Sequence, residues 1–128
     1  MEKQNAHQFG SARRFMAAAL AAIGSESREG VSLLVAATKD RNLDVRVIAV
    51  GFLSWVKGQK AVVDALMEAL KDEEVEVRWA AAIALGRLGS EAKDAAPVLA
   101  SLTQDSSPSV RQAAVTALKK IRAEAARR

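Results

Sequence analysis

Cysteine is absent from this 128-residue chain, and histidine occurs once, as His7. The first absence excludes disulfides, thiolate metal sites and a cysteine nucleophile. A lone histidine cannot build a multi-histidine metal site within one chain, and a serine–histidine–aspartate set would have to rest on that one residue near the N-terminus. There is no phosphate loop. Aromatics make up 4% of residues, and proline occurs only twice, at Pro97 and Pro108. β-branched residues are scattered instead of gathered into strand-length runs. Half of the chain is hydrophobic, with alanine, the best helix former, well represented. These features predict an all-α protein with no cofactor, no metal and no enzymatic activity. At this length it is one domain with enough residues for a core.

The net charge of +4 invites a nucleic-acid reading, but its distribution weakens that reading. Residues 1–118 carry 14 basic and 14 acidic side chains, so the whole excess lies in the last ten residues. Cations there suit the negative end of a terminal helix. Near the other end, "SARRFMAAALAAIG" (Ser11 to Gly24) places two arginines before an apolar run, in the manner of a secretory or twin-arginine signal. The run is too short to span a membrane. It is also in phase with three later segments, which favours a mature helix and a cytoplasmic protein.

That phase comes from an internal repeat. Val-Arg recurs at Arg46, Arg78 and Arg111, 32 and 33 residues apart, and a further step of 33 back reaches Arg13. Leucine follows seven residues later at Leu20, Leu53, Leu85 and Leu118, and an aliphatic residue ten later at Ile23, Val56, Leu88 and Ile121. Counted from the arginine, offsets −1, 3, 6, 7 and 10 share one helical face. A second amphipathic stretch precedes each of the last three pairs, at roughly 28–39, 60–71 and 92–104, with Leu34, Leu66 and Leu99 twelve before the arginine. Each unit is therefore a helical hairpin that can bury its apolar face only against its neighbours, so the units stack into an α-solenoid. Turn chemistry agrees: Ser107 and Asn42 stand at N-cap positions, Pro108 at the first helical position, and Gly24, Gly58 and Gly89 where left-handed caps are wanted.

An aspartate lies six before each of the last three arginines, at Asp40, Asp72 and Asp105, and Pro97 lies fourteen before Arg111. With the period, this set resembles the HEAT repeat, in particular the short HEAT-like form associated with phycobilisome lyases. The likeness covers roughly residues 11–122. It departs at Ser32 and Asp64, which stand where the proline belongs, and at His7, which stands where the first aspartate belongs and reads as a displaced ladder residue or part of a frayed end. It implies an α/α superhelix of about four hairpins, the first incomplete, forming a single domain 1–128 with units near 1–24, 25–58, 59–89 and 90–124. It also implies a structural ladder of Asp40, Arg46, Asp72, Arg78, Asp105 and Arg111 between neighbouring units.

In α-solenoids the second helix of each unit commonly lines the concave, binding side. Opposite the apolar face lie offsets 1, 5 and 8. They hold Arg14, Val47, Trp79, Ile83, Gln112 and Lys119 among small residues such as Gly51, Ser54 and Gly86. The expected surface is a shallow groove, apolar around Trp79 and basic at Arg14 and Lys119. Trp79 is either an interface anchor or a cover for the seam between units. Trp55, at offset 9, is expected in the core. The leading reading is a non-enzymatic scaffold holding a protein or peptide; nucleic-acid binding through the basic residues is the alternative. The incomplete first unit leaves an end that invites a second copy or a larger parent protein.

Overall fold

The structure is a computed structural model and describes residues 28–127. Arg13, Arg14, His7 and the partial first unit lie outside the described residues. Among the described residues six α-helices follow in order: α1 (Arg28–Ala37), α2 (Leu43–Leu53), α3 (Lys60–Ala69), α4 (Val75–Leu88), α5 (Ala96–Leu102) and α6 (Pro108–Ala126). A 3₁₀ segment, Gly89–Ala95, leads into α5. Pro97 stands in the first turn of α5, so the proline begins that helix instead of kinking its interior.

The helices pair as hairpins, α1 with α2, α3 with α4, and α5 with α6. The second helices α2, α4 and α6 pack side by side, and among the described residues the α4–α6 contact is the most extensive. This is the stacking expected of an α-solenoid. The core is built from the repeated offsets. Val45, Val77 and Val110 are buried, as are Ala49, Ala81 and Ala114, and Leu53, Leu85 and Leu118; Phe52 is half-buried. Leu34, Leu66 and Leu99 from the first helices are fully buried against them. Removing one such leucine side chain costs about 2–5 kcal/mol.

Local chemistry sets the helix ends. Asn42 caps α2 by accepting the Val45 N–H at 3.2 Å, and Ser107 caps α6 by accepting the Val110 N–H at 3.5 Å. Gly58 (φ 79°) and Gly89 (φ 64°) both take positive φ beyond α2 and α4, but Gly89, with ψ −132°, is not in the left-handed helical region expected of a cap. At Gly89 a Cβ would also displace the Glu124 carboxylate, the movable end of a side chain, so the positive φ is the stronger demand for glycine.

Candidate functional site

Two rails tie the units together and hold the site between them. On the side where the second helices begin, each ladder arginine first grips its own turn. Arg46 Nη1 donates to the Asp40 and Arg41 carbonyls at 2.9 and 3.2 Å, and Arg78 Nη1 to those of Asp72 and Glu73 at 3.0 Å each. The other edge of the guanidinium then reaches the next unit. Arg46 Nε meets Asp72 Oδ2 at 3.1 Å and Arg78 Nε meets Asp105 Oδ1 at 3.1 Å, with Nη2 completing each fork. These side chains are only 10–16% exposed. Each aspartate also accepts a backbone N–H two residues on: Asp40 from Asn42, Asp72 from Glu74, Asp105 from Ser107. Burial pushes the Asp105 carboxyl up, but the Ser107 N–H, the hydrogen bond and charge of Arg78, and the charge of Arg111 outweigh it and hold its pKa below the ordinary value. Arg111 grips the Asp105 and Ser106 carbonyls at 2.8 and 3.3 Å in the same way.

The second rail lies at the opposite ends of the second helices and is absent from the ladder read in the sequence. Glu91 accepts the Gly58 N–H at 2.7 Å, and Glu124 accepts the Ser90 N–H at 3.1 Å and its hydroxyl at 2.8 Å. Both glutamates stand thirteen after a ladder arginine, where the other units have Glu26 and Gln59. That recurrence was the available signal.

Between the rails, along the α4–α6 seam, runs a groove of about 620 Å³. Trp79, Ala82, Ile83 and Gly86 form its α4 wall; Pro108, Gln112, Thr116, Ala117 and Lys120 are among the residues of its α6 wall. Gly86 explains why the helices can meet at its floor. A Cβ there would stand 3.1 Å from Ala117 Cα, so only glycine allows this approach without displacement. Trp79 rises at the rim, 44% exposed.

The structure thus brings Trp79, Ile83 and Gln112 together. It does not bring Val47 or Lys119 to them. Val47 is half-buried against the core of the α2 region. Lys119 is exposed and does not line this groove; its neighbour Lys120 does. α6 leans on Gly86 through Ala117 and Lys120, offsets 6 and 9, which leaves offset 8 outside. Arg14 lies outside the described residues. Trp55 corrects the core expectation: it is 59% exposed, with the Arg87 guanidinium 4.7 Å over its ring. Its offset holds Arg87 and Lys120 in the following units, a polar row that faces solvent and covers the preceding seam.

Among the described residues there is no cluster of His, Cys, Asp or Glu fit to hold a metal ion, and no helix is long and apolar enough to cross a membrane. The HEAT repeat family model matches residues 3–75 and again 63–128. This chain belongs to the HEAT repeat family. The match is to HEAT repeats as such and does not single out the lyase-associated short form. No curated protein matches the chain. HEAT repeats commonly act as scaffolds for protein interactions.

Proposed function

We propose that this HEAT repeat protein is a non-enzymatic scaffold that holds a peptide segment of a partner protein in the α4–α6 groove, with Trp79 as the anchor. The observation that carries this reading is an exposed tryptophan at the rim of an apolar-walled groove whose floor is a helix contact fixed by Gly86. Tryptophan is enriched among residues that dominate binding energy. Covering roughly 100 Å² of its ring is worth about 2 kcal/mol, or roughly thirtyfold in affinity. The polar residues in the walls, Gln112, Thr116 and Lys120, can orient a peptide backbone but form no acid–base pair.

The test is to select binders from a displayed random-peptide library and to measure their affinity by calorimetry. Trp79→Ala is expected to weaken the selected peptides by roughly thirtyfold while leaving helicity and urea stability close to wild type. Peptides that bind Trp79→Ala as tightly as wild type would remove the groove from the binding site.

The nucleic-acid alternative draws support from Lys119, Lys120 and Arg122 on exposed faces of α6. Binding of that kind weakens steeply as salt is added. Retention on duplex DNA at low salt, lost at physiological salt, is the outcome that would favour it over peptide capture.

A further inference from the structure

Among the described residues the ladder contains two filled rungs and one open one. Arg46 and Arg78 each donate Nη1 to two carbonyls of their own turn and present Nε and Nη2 to a carboxylate, Asp72 and Asp105 respectively. Arg111 makes the same two carbonyl contacts through Nη1, and among the described residues no carboxylate meets its Nε–Nη2 edge. The fork is therefore held in its carboxylate-binding posture with that edge turned to solvent. Its rotamer entropy is already largely spent on the turn, which lowers the cost of recruiting a carboxylate.

We infer that Arg111 is a docking site for an aspartate or glutamate side chain of an acidic partner segment lying along α6. Two observations select that occupant over another HEAT hairpin. First, stacking needs a small residue at offset 8. Ser54 is buried there in α2, and Gly86 in α4 lies 3.1 Å, by its absent Cβ, from Ala117 of the next helix. In α6 the position is Lys119, exposed, whose long cationic side chain obstructs the same approach. Second, the exposed charged side chains of α6 are all cationic, Arg111, Lys119, Lys120 and Arg122, while the helix's single acid, Glu124, is engaged with Ser90. A short acidic segment meets that charge and needs no close helix contact. This inference deepens the scaffold reading and rests on it for the identity of the partner as a peptide; the fork itself is independent of the groove.

The test has two arms. In the first, side-chain ¹⁵N spectra of arginine Nε–H groups follow titration with N-acetyl-aspartate N-methylamide, against the asparagine analogue at matched ionic strength. The expected result is a saturable shift at Arg111 for the aspartate compound alone, with Arg46 and Arg78 unmoved. Equal shifts at exposed Arg41 and Arg122, or an equal response to the asparagine compound, would overturn the assignment. So would a response to inorganic phosphate or duplex DNA with none to aspartate. The second arm uses library-selected peptides. Replacing their acidic residue by its amide is expected to weaken binding roughly five- to tenfold in wild type and not at all in Arg111→Gln. Arg111→Lys keeps the charge without the fork and recovers only part of the loss. Peptides indifferent to both changes would refute Arg111 as the acceptor. Failure of Trp79→Ala to matter, with the Arg111 shift intact, would instead refute the groove and leave the fork standing.

Discussion

The α2–α4 seam and the α4–α6 seam use the same positions of one repeat and end in different surfaces. In the first, Val47, Gly51 and Ser54 occupy offsets 1, 5 and 8; in the second, Trp79, Ile83 and Gly86 do. Ser54 is buried and receives Arg87 Nη1 at 3.3 Å, so the next unit's arginine closes over the seam. Gly86 receives the Ala117 backbone and the Lys120 stem, and the large residues Trp79 and Ile83 stand up beside that contact as a groove wall. Core offsets −1, 3 and 7 hold valine, alanine and leucine in both units, as the ladder holds its aspartate and arginine, and only offset 6 changes markedly, from Phe52 to Ala84. Offsets 1 and 5 change from Val47 and Gly51 to Trp79 and Ile83, while offset 8 stays small at Ser54 and Gly86. Stability is therefore carried by what the units share, and the proposed peptide recognition rests on what they do not.

The sharpest way to break that division is to cut the ladder once in each seam. Asp72→Ala and Asp105→Ala each leave a half-buried arginine without its carboxylate. Each is expected to cost about 3 kcal/mol in urea unfolding, since removing one partner of a largely desolvated pair strands the other. Arg111→Ala, at the exposed rung, is expected to cost less than about 1 kcal/mol. A large difference between the two aspartates would show that the seams are not equivalent in stability. The pH dependence follows from the Asp105 shift. Its folded pKa is depressed, so its contribution is present above the ordinary aspartate value, about 4, and is lost as pH falls through the lower folded value. Stability should drop over that acid range, and Asp105→Asn should flatten the drop.

Two glycines give the next contrast. Gly86→Val puts a branched side chain against the Ala117 backbone, where even a Cβ is 3.1 Å away. The expected loss is about 1–3 kcal/mol from overpacking, with the groove distorted and peptide capture lost. A Cβ on Gly51 meets nothing within 4 Å. Gly51→Ala is therefore expected to gain about 0.5–1 kcal/mol by removing backbone freedom from a helix interior. Opposite signs at two glycines of neighbouring second helices would localise the close approach to one seam. The same sign at both would mean that the Gly86 contact is not a constraint.

Much of this architecture is legible in the residues because it is made of backbone-level requirements repeated at a fixed period. Asn42, Ser107 and Pro108 satisfy helix starts, Gly58 and Gly89 permit positive φ, and Asp and Arg six apart mark the turn that both side chains grip. Such demands are local, so spacing alone exposes them. The groove is only partly legible. Trp79, Ile83 and Gln112 follow from helical phase, but whether offset 8 or offset 9 faces a seam depends on how one helix leans on the next. That lean is set by the absence of a side chain at Gly86, a tertiary fact. It moved the groove's lysine from Lys119 to Lys120 and placed Val47 elsewhere. The glutamate rail escaped because the partners its two rungs share are backbone N–H groups, of Gly58 and Ser90, which leave no common residue type in the preceding unit.

Trp55 supplies the smallest expected effect and the finest comparison with Trp79. Both are large exposed aromatics on second helices or their ends, but they differ in what holds them. Trp55 is covered by Arg87, which also bonds Ser54, and Lys57 reaches the Arg87 carbonyl at 3.4 Å. Its ring is thus part of the closure of the α2–α4 seam. A cation–π contact at an exposed site is worth about 0.5–1 kcal/mol, so Trp55→Ala should lower urea stability by that amount and leave affinity for library-selected peptides unchanged. Trp79→Ala should do the reverse. Because the Arg87–Ser54 bond survives loss of the ring, the double variant Trp55→Ala with Arg87→Ala should cost more than Trp55→Ala alone, by the amount that bond contributes. Peptide affinity that falls with Trp55→Ala as it does with Trp79→Ala would mean that binding spreads over both seams and that the variable offsets of every unit, not of one, form the recognition surface.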